Sequence, residues 1–144
     1  MISTRGRYAL RMMLDLAQNQ GEGVVALRDI AERQEISKKY LEQIIPVLNR
    51  AGLLQTTRGV QGGYRLTRRP EEYTVWDILK TTEAGLSSVA CLEPGAPLCN
   101  RQAGCLTKPV WEGLDRVVQE YLKGITLQDI LDHRQSAVGN DYII

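Results

Sequence analysis

No stretch of this 144-residue chain is apolar for long enough to cross a membrane, and no charged-then-apolar leader opens it. A soluble, cytoplasmic protein with no membrane partner is expected. Histidine is nearly absent, His133 being the only one. No nucleotide-binding motif and no evident acid–base constellation offsets that scarcity, so the chain is not expected to be an enzyme. Cysteine is scarce too: three residues, none outside positions 91–105. The odd count argues against a closed disulfide framework. The Cys-x2-Cys knuckle of many zinc sites is missing.

What is present begins with that stretch, Cys91-Leu-Glu-Pro-Gly-Ala-Pro-Leu-Cys99-Asn-Arg-Gln-Ala-Gly-Cys105. Pro94, Gly95, Pro97 and Gly104 bend the chain and forbid a long regular element. A loop that gathers thiols suits an iron–sulfur cluster or another soft metal centre. Zinc, or a redox pair with one spectator thiol, are the alternatives the spacing leaves open.

The net charge of +1 conceals a division. Residues 1–69 carry 12 Lys/Arg against 6 Asp/Glu, whereas residues 70–144 carry 6 against 11. A basic front half facing a polyanion and an acidic rear half with another task are implied.

Apolar spacing predicts a helix over 4–18, with Ala9, Met12, Met13, Leu16 and Ala17 on one face and Gly21 and Gly23 ending it. A shorter helix carries Leu27, Ile30 and Ala31. Gln34 and Glu35 make the turn, and Ser37 is a candidate N-cap for a helix over 38–50. There Leu41, Ile44, Ile45 and Leu48 form the apolar stripe. Lys38, Lys39, Glu42 and Gln43 lie on a polar face near the N-terminus, where the second helix of a helix-turn-helix reaches base edges. Gln can read adenine, Glu can accept from cytosine, and lysines hold phosphates or guanine. Pro46 removes a backbone donor and is expected to kink or loosen this helix.

Gly52 is the expected C-cap. Leu53–Thr57 then reads as a strand, Arg58–Gly63 as a tight turn and Tyr64–Leu66 as the return strand. Helix, helix and a basic glycine-rich hairpin outline a winged helix-turn-helix. The turn is no phosphate loop, since neither a Lys-Ser/Thr pair nor a helix follows it. Gly59, Gly62 and Gly63 let the wing backbone approach a surface, and Arg58 at its tip suits a narrow minor groove. The full candidate DNA-binding set adds Thr4, Arg5, Arg28, Ser37, Tyr40 and Gln61.

In the rear half, Thr74 and Asp77 form a capping box for a helix over 75–83 with Val75, Ile78 and Leu79 buried. Pro109 suits the first turn of a helix over 109–123, whose stripe is Val110, Leu114, Val117, Val118 and Tyr121. The stripe either packs inside its own chain or forms a two-fold dimer seam, as expected of a reader of pseudo-palindromic double-stranded DNA. Gly124 ends it. Thr126 and Asp129 cap a final short helix with Leu127, Ile130 and Leu131. The expected organisation is a DNA-binding domain at 1–70, a connecting helix and cysteine loop at 71–106, a dimerisation helix and final helix at 107–133, and a tail at 134–144. The fold class is mainly α with a small β-hairpin wing.

Several pieces, taken in order, resemble the IscR/NsrR/CymR superfamily of bacterial winged-helix regulators. They are Ser3-Thr-Arg-Gly-Arg-Tyr-Ala-Leu10, Ile30-Ala, Ile36-Ser-x-x-Tyr-Leu-Glu-Gln43, Ala51-Gly-Leu53, Arg58-Gly-x-x-Gly-Gly-Tyr64 and the cysteine triplet. Cys105-Leu-Thr and Ile125-Thr-Leu127 lean toward the IscR branch. The resemblance implies a homodimer, each subunit pairing a helix-turn-helix and wing with a cluster-binding loop. It implies a 2Fe–2S cluster on Cys91, Cys99 and Cys105, or 4Fe–4S in the nitric-oxide-sensing branch. It also implies DNA contacts from Tyr40, Glu42, Gln43 and Arg58. The function implied is an iron–sulfur-sensing transcriptional regulator of cluster-biogenesis genes. The alternative is a regulator of cysteine or sulfur metabolism, or a nitric-oxide- or redox-responsive repressor.

The chain departs from that pattern in its ligands. Lys108 stands where the family has a histidine, and a protonated lysine has no lone pair for iron. The segment Arg5-Gly-Arg7-Tyr8 lacks the carboxylate of the nitric-oxide-sensing branch. His133, Glu93, water or a small molecule are the candidates for the fourth ligand. The Tyr-Ile-Ile ending resembles the CymR branch, which lacks the triplet.

Overall fold

Ser3 sets the first boundary: its hydroxyl accepts from Gly6 N at 3.1 Å and caps helix α1, Thr4–Asn19. In this computed structural model, which describes residues 2–140, α1 runs through the centre of the front half. Its Ala9, Met12, Met13 and Leu16 are fully buried. Helix α2, Leu27–Gln34, closes on Glu35 in the left-handed region at φ 54°. Helix α3 spans Lys38–Arg50 and buries Leu41, Ile44, Ile45 and Leu48 as the periodicity predicts.

Asp15 breaks the expected apolar face of α1. It is 1% exposed, and Arg33 holds it with two hydrogen bonds, Nε to Oδ2 at 3.0 Å and Nη2 to Oδ1 at 2.7 Å. Gln34 Nε2 adds a third at 2.9 Å. A buried carboxylate is tolerable only when its lone pairs are met in this way. The bonds also raise the Arg33 pKa above its usual value. The angle between α1 and α2 is thereby tied down by charge as well as by packing.

Pro46 neither ends nor interrupts α3. It lies on the exposed side, and the carbonyl it cannot satisfy belongs to Glu42, which is exposed too. Water can serve that oxygen while buried Ile45 and Leu48 hold the helix in place. The C-cap is Ala51, one residue before the expected Gly52. Gly52 takes the left-handed position at φ 74°, and Leu53 N bonds back to Leu48 O at 3.0 Å.

Strands β1, Leu54–Thr57, and β2, Gly63–Leu66, form the antiparallel wing, with Thr57 opposite Gly63. The wing is seated on Val25, which exchanges backbone hydrogen bonds with Tyr64 at 2.8 and 2.9 Å. Gly63 is buried there, and a Cβ on it would collide with the Val25 carbonyl. Asn49 on α3 pairs with Thr56 on β1 at 3.0 Å, which fixes the wing against that helix.

Tyr73 is fully buried under the base of the wing. Its hydroxyl donates to Leu53 O at 2.8 Å and accepts from Thr67 N and Arg68 N at 2.9 and 3.1 Å. Its carbonyl accepts from Leu127 N at 3.0 Å, and Val75 N donates to Ile125 O at 2.9 Å. The rear helices are thus joined to the front half at this residue. The Thr74–Asp77 box caps α4, Val75–Thr82, and α4 packs across α1 and α3.

Short 3-10 turns at Ala90–Leu92 and Gln102–Gly104 punctuate the cysteine loop, which leads into α5, Lys108–Lys123. The final helix α6, expected to be short, spans Leu127–Asn140 behind the Thr126–Asp129 box. The expected tail thus falls inside α6 as far as Asn140, and Asp141–Ile144 lie outside the described residues. Among the described residues no helix is long and apolar enough to cross a membrane.

Tyr73→Phe removes one hydroxyl and leaves a buried carbonyl and two amides short of a partner. It is expected to lower the unfolding free energy in urea by about 1–3 kcal/mol. A loss below about 0.5 kcal/mol would show that water replaces the phenol at no cost.

Candidate nucleic-acid interface and cysteine loop

The start of α3 is presented rather than buried. Ser37 accepts from Tyr40 N at 3.1 Å, and Lys38, Lys39, Glu42 and Gln43 are all exposed. Tyr40 is half-buried, and its ring meets Tyr8 edge-on with centroids 5.2 Å apart. The Arg11 guanidinium lies 5.4 Å from the Tyr8 centroid. Tyr40 therefore also anchors α3 against α1, a role sequence reading missed because its partner lies on another helix. Thr4 accepts from Arg7 at 3.1 Å, with Arg5 and Arg7 exposed at the same end of α1. Arg7 is an exposed cation that sequence reading left out of the candidate set, although its spacing of three from Thr4 was the available signal. Arg28 is exposed on α2 and lies 3.8 Å from Asp29.

On the wing, Arg58, Gly59 and Gln61 are exposed, and Val60 stands fully in solvent. Gly59 adopts φ 113° and its carbonyl accepts from Gly62 N at 3.0 Å. Gly62 is half-buried, and a Cβ there would collide with the Thr57 carbonyl. Burial against Val25 removes Gly63 from the exposed set, and its work is in seating the hairpin. The front half thus presents two basic, protruding elements, a helix N-terminus and a hairpin tip, joined by the Asn49–Thr56 contact. That shape suits a groove and the adjacent backbone of a duplex.

Cys91, Cys99 and Cys105 are free thiols and line one cavity of about 180 Å³ at the head of α5. Val89, Leu98 and Trp111 give it apolar walls, and Thr107 and Lys108 border it. The Cys105 pKa is lowered from the ordinary thiol range, first by the Thr107 hydroxyl at 3.5 Å, then by backbone hydrogen bonds at Thr107 and Lys108. The thiolate is the ligating form. Lys108 is drawn toward Glu112 at 3.6 Å.

Among the described residues, no three His, Cys, Asp or Glu side chains gather closely enough to hold a metal ion. The thiols share a cavity rather than a coordination sphere. The donor chemistry fits an iron–sulfur group, while ligation would require the loop to draw inward. Neither candidate side chain for the fourth ligand lines the cavity. Glu93 accepts from Ser87 N at 2.9 Å and packs against Gly85, away from the thiol cavity. His133 is exposed on α6 and does not line it either.

Helix α5 has no buried residue. Val110, Leu114, Val117 and Tyr121 are exposed and Val118 is half-buried, so most of the stripe does not pack inside its own chain. Beside it lies an apolar cavity of about 320 Å³, with Ile2, Leu86 and Val118 among its walls.

A model of the Rrf2 family, described as iron-dependent transcriptional regulators, matches residues 2–133. The chain belongs to the Rrf2 family. It is therefore a DNA-binding transcriptional regulator with a winged-helix fold, and not an enzyme. Protein Rrf2 of Nitratidesulfovibrio vulgaris is 40% identical over 130 residues, covering 90% of this chain and 86% of the relative. The solved structure of T. potens IscR matches with a TM-score of 0.77 and 42% identity, over 95% of this chain and 90% of that one. That of CymR, the global cysteine regulator of B. subtilis, matches with a TM-score of 0.77 and 34% identity, over 92% and 97%. For an Rrf2-family reader, Arg58→Ala is expected to weaken duplex binding and reduce the salt slope of log affinity by about one. Glu42→Ala is expected to relax base preference more than it lowers affinity. Competition binding across salt concentrations and site variants measures both, and an unchanged slope or a uniform loss would refute the respective role.

Proposed function

We propose that this regulator works as a cytoplasmic homodimer, senses a 2Fe–2S cluster on Cys91, Cys99 and Cys105, and adjusts transcription of cluster-biogenesis genes. The observation that carries this reading is that all the thiols of the chain line one cavity at the head of the helix with the uncovered apolar stripe. The likeness to T. potens IscR supports it. When bound, such a group supplies a labile centre that responds to oxidants and iron supply. The chain's residues set the terms. Thr107 and the amides of Thr107 and Lys108 favour the Cys105 thiolate, and Val89, Leu98 and Trp111 supply apolar wall. The fourth position falls to water or a small molecule, since Glu93 is engaged with Ser87 and His133 does not line the cavity.

Covering Val110, Leu114, Val117 and Tyr121 with the same stripe of a second copy would join two reading heads about a two-fold axis, which suits a pseudo-palindromic site. On each head, Lys38 and Lys39 hold phosphates, Glu42 and Gln43 read base edges, and Arg58 enters the neighbouring groove. Coupling of about 1–3 kcal/mol between loop and heads would change operator affinity about 5–150-fold.

A second reading, a cluster-free regulator of cysteine metabolism, is favoured by the equal TM-score of B. subtilis CymR and by the spread of the thiols. Anaerobic purification with iron and acid-labile sulfide quantified separates the two. Cys91→Ala, Cys99→Ala and Cys105→Ala are each expected to abolish the visible cluster absorption and leave far-UV circular dichroism unchanged. A triple variant that still reconstitutes a brown chromophore would refute the ligand assignment. Val117→Glu is expected to convert the dimer to monomer in sedimentation and weaken operator binding at least tenfold, about 1.4 kcal/mol. A monomeric wild-type protein would remove the dimer from this account.

A further inference from the structure

Ser3 and Glu83 are 80 residues apart in sequence and in contact in the fold. The Ser3 amide and hydroxyl both donate to Glu83 Oε1, at 3.0 and 2.9 Å. The same hydroxyl caps α1 by accepting from Gly6 N. Gly6 is buried, and a Cβ there would collide with the Glu83 carboxylate. The carboxylate is therefore seated in a notch on α1, not lying loose on a surface.

Glu83 follows α4 and opens a segment bound to the thiol loop and to α5. Ser87 N donates to Glu93 Oε1 at 2.9 Å, and Ser87 Oγ donates to Leu92 O at 3.2 Å, directly after Cys91. Ser88 N donates to Asp115 Oδ1 on α5 at 2.7 Å. At the other end, the helix that Ser3 caps carries Thr4, Arg5 and Arg7 in its first turn. Two sets of short contacts, at residues 87–88 beside the loop and at Glu83 beside the end of α1, are thus joined through the three intervening residues of the chain.

We propose that Glu83 is a positioning residue that couples the arrangement of the cysteine loop to duplex binding at the first turn of α1. The inference rests on the proposed DNA reading, extended to the candidate contacts Thr4 and Arg5 of that turn, and it requires no cluster. Coupling is reciprocal: whatever the loop does to duplex affinity, the duplex does to the loop. Thiol reactivity in the apoprotein reports the loop.

The experiment measures iodoacetamide alkylation of Cys91, Cys99 and Cys105 in the full-length apoprotein by mass spectrometry. Rates are compared with and without a saturating duplex that the protein itself has enriched from a random-sequence pool. In wild type the duplex is expected to change at least one rate about fivefold. In Glu83→Ala the change is expected to fall below about twofold. Glu83→Gln, which keeps an acceptor oxygen for Ser3, should recover part of it. Gly6→Ala displaces the carboxylate without deleting it, should match Glu83→Ala, and carries the test if Glu83→Ala does not fold. No duplex effect in wild type overturns the proposal. So does an undiminished effect in the variants, or a complete loss of duplex binding in them. The cluster reading fails separately, on iron and sulfide content.

Discussion

One phenol joins the two halves of this molecule. Tyr73 gathers Leu53, Thr67 and Arg68 at the base of the wing through its hydroxyl, and receives the start of α6 on its carbonyl. Each such bond contributes only about 0.5–1.5 kcal/mol net, but left unmade in the interior it costs more. The wing, the far end of α5 and the start of α6 therefore share one fixed point. A displacement of α5 is referred to the same residue that sets the height of the wing.

The other end of α5 is held differently. It emerges from the thiol loop, a run of short 3-10 turns with exposed Cys91 and Cys99, and is tied back through Ser88 and Asp115. One end rests on a fully buried side chain and the other on a loop with little core of its own. Local stability follows burial, so the compliant part of the molecule is the part that carries the three thiols. The front half offers the converse case, where Asp15 and Arg33 fix α2 on α1 through a buried charge. A stiff DNA-reading half thus sits beside a compliant thiol loop.

Local chemistry made much of this legible in advance. The caps at Ser37, Thr74–Asp77 and Thr126–Asp129 need only residues three apart, and each sits where spacing placed it. The hairpin was legible from its glycines, and the α3 stripe from its period. Pro46 is accommodated inside α3, where the carbonyl it leaves without a donor belongs to an exposed residue. Asp15 was hidden inside an apolar pattern because its partners lie on α2. The Ser3–Glu83 contact spans most of the chain, and no periodicity announces it. The cysteines were legible as a group, but the engagement of Glu93 with Ser87 was not, since it depends on how Gly85 brings two turns together.

The wing shows where descendants of this chain are free to wander. Gly62 and Gly63 abut the carbonyls of Thr57 and Val25, so a side chain at either would lift the hairpin from its seat. Arg58, Val60 and Gln61 project into solvent with nothing behind them. Substitutions can therefore accumulate at the tip one at a time, while the base stays frozen by steric necessity.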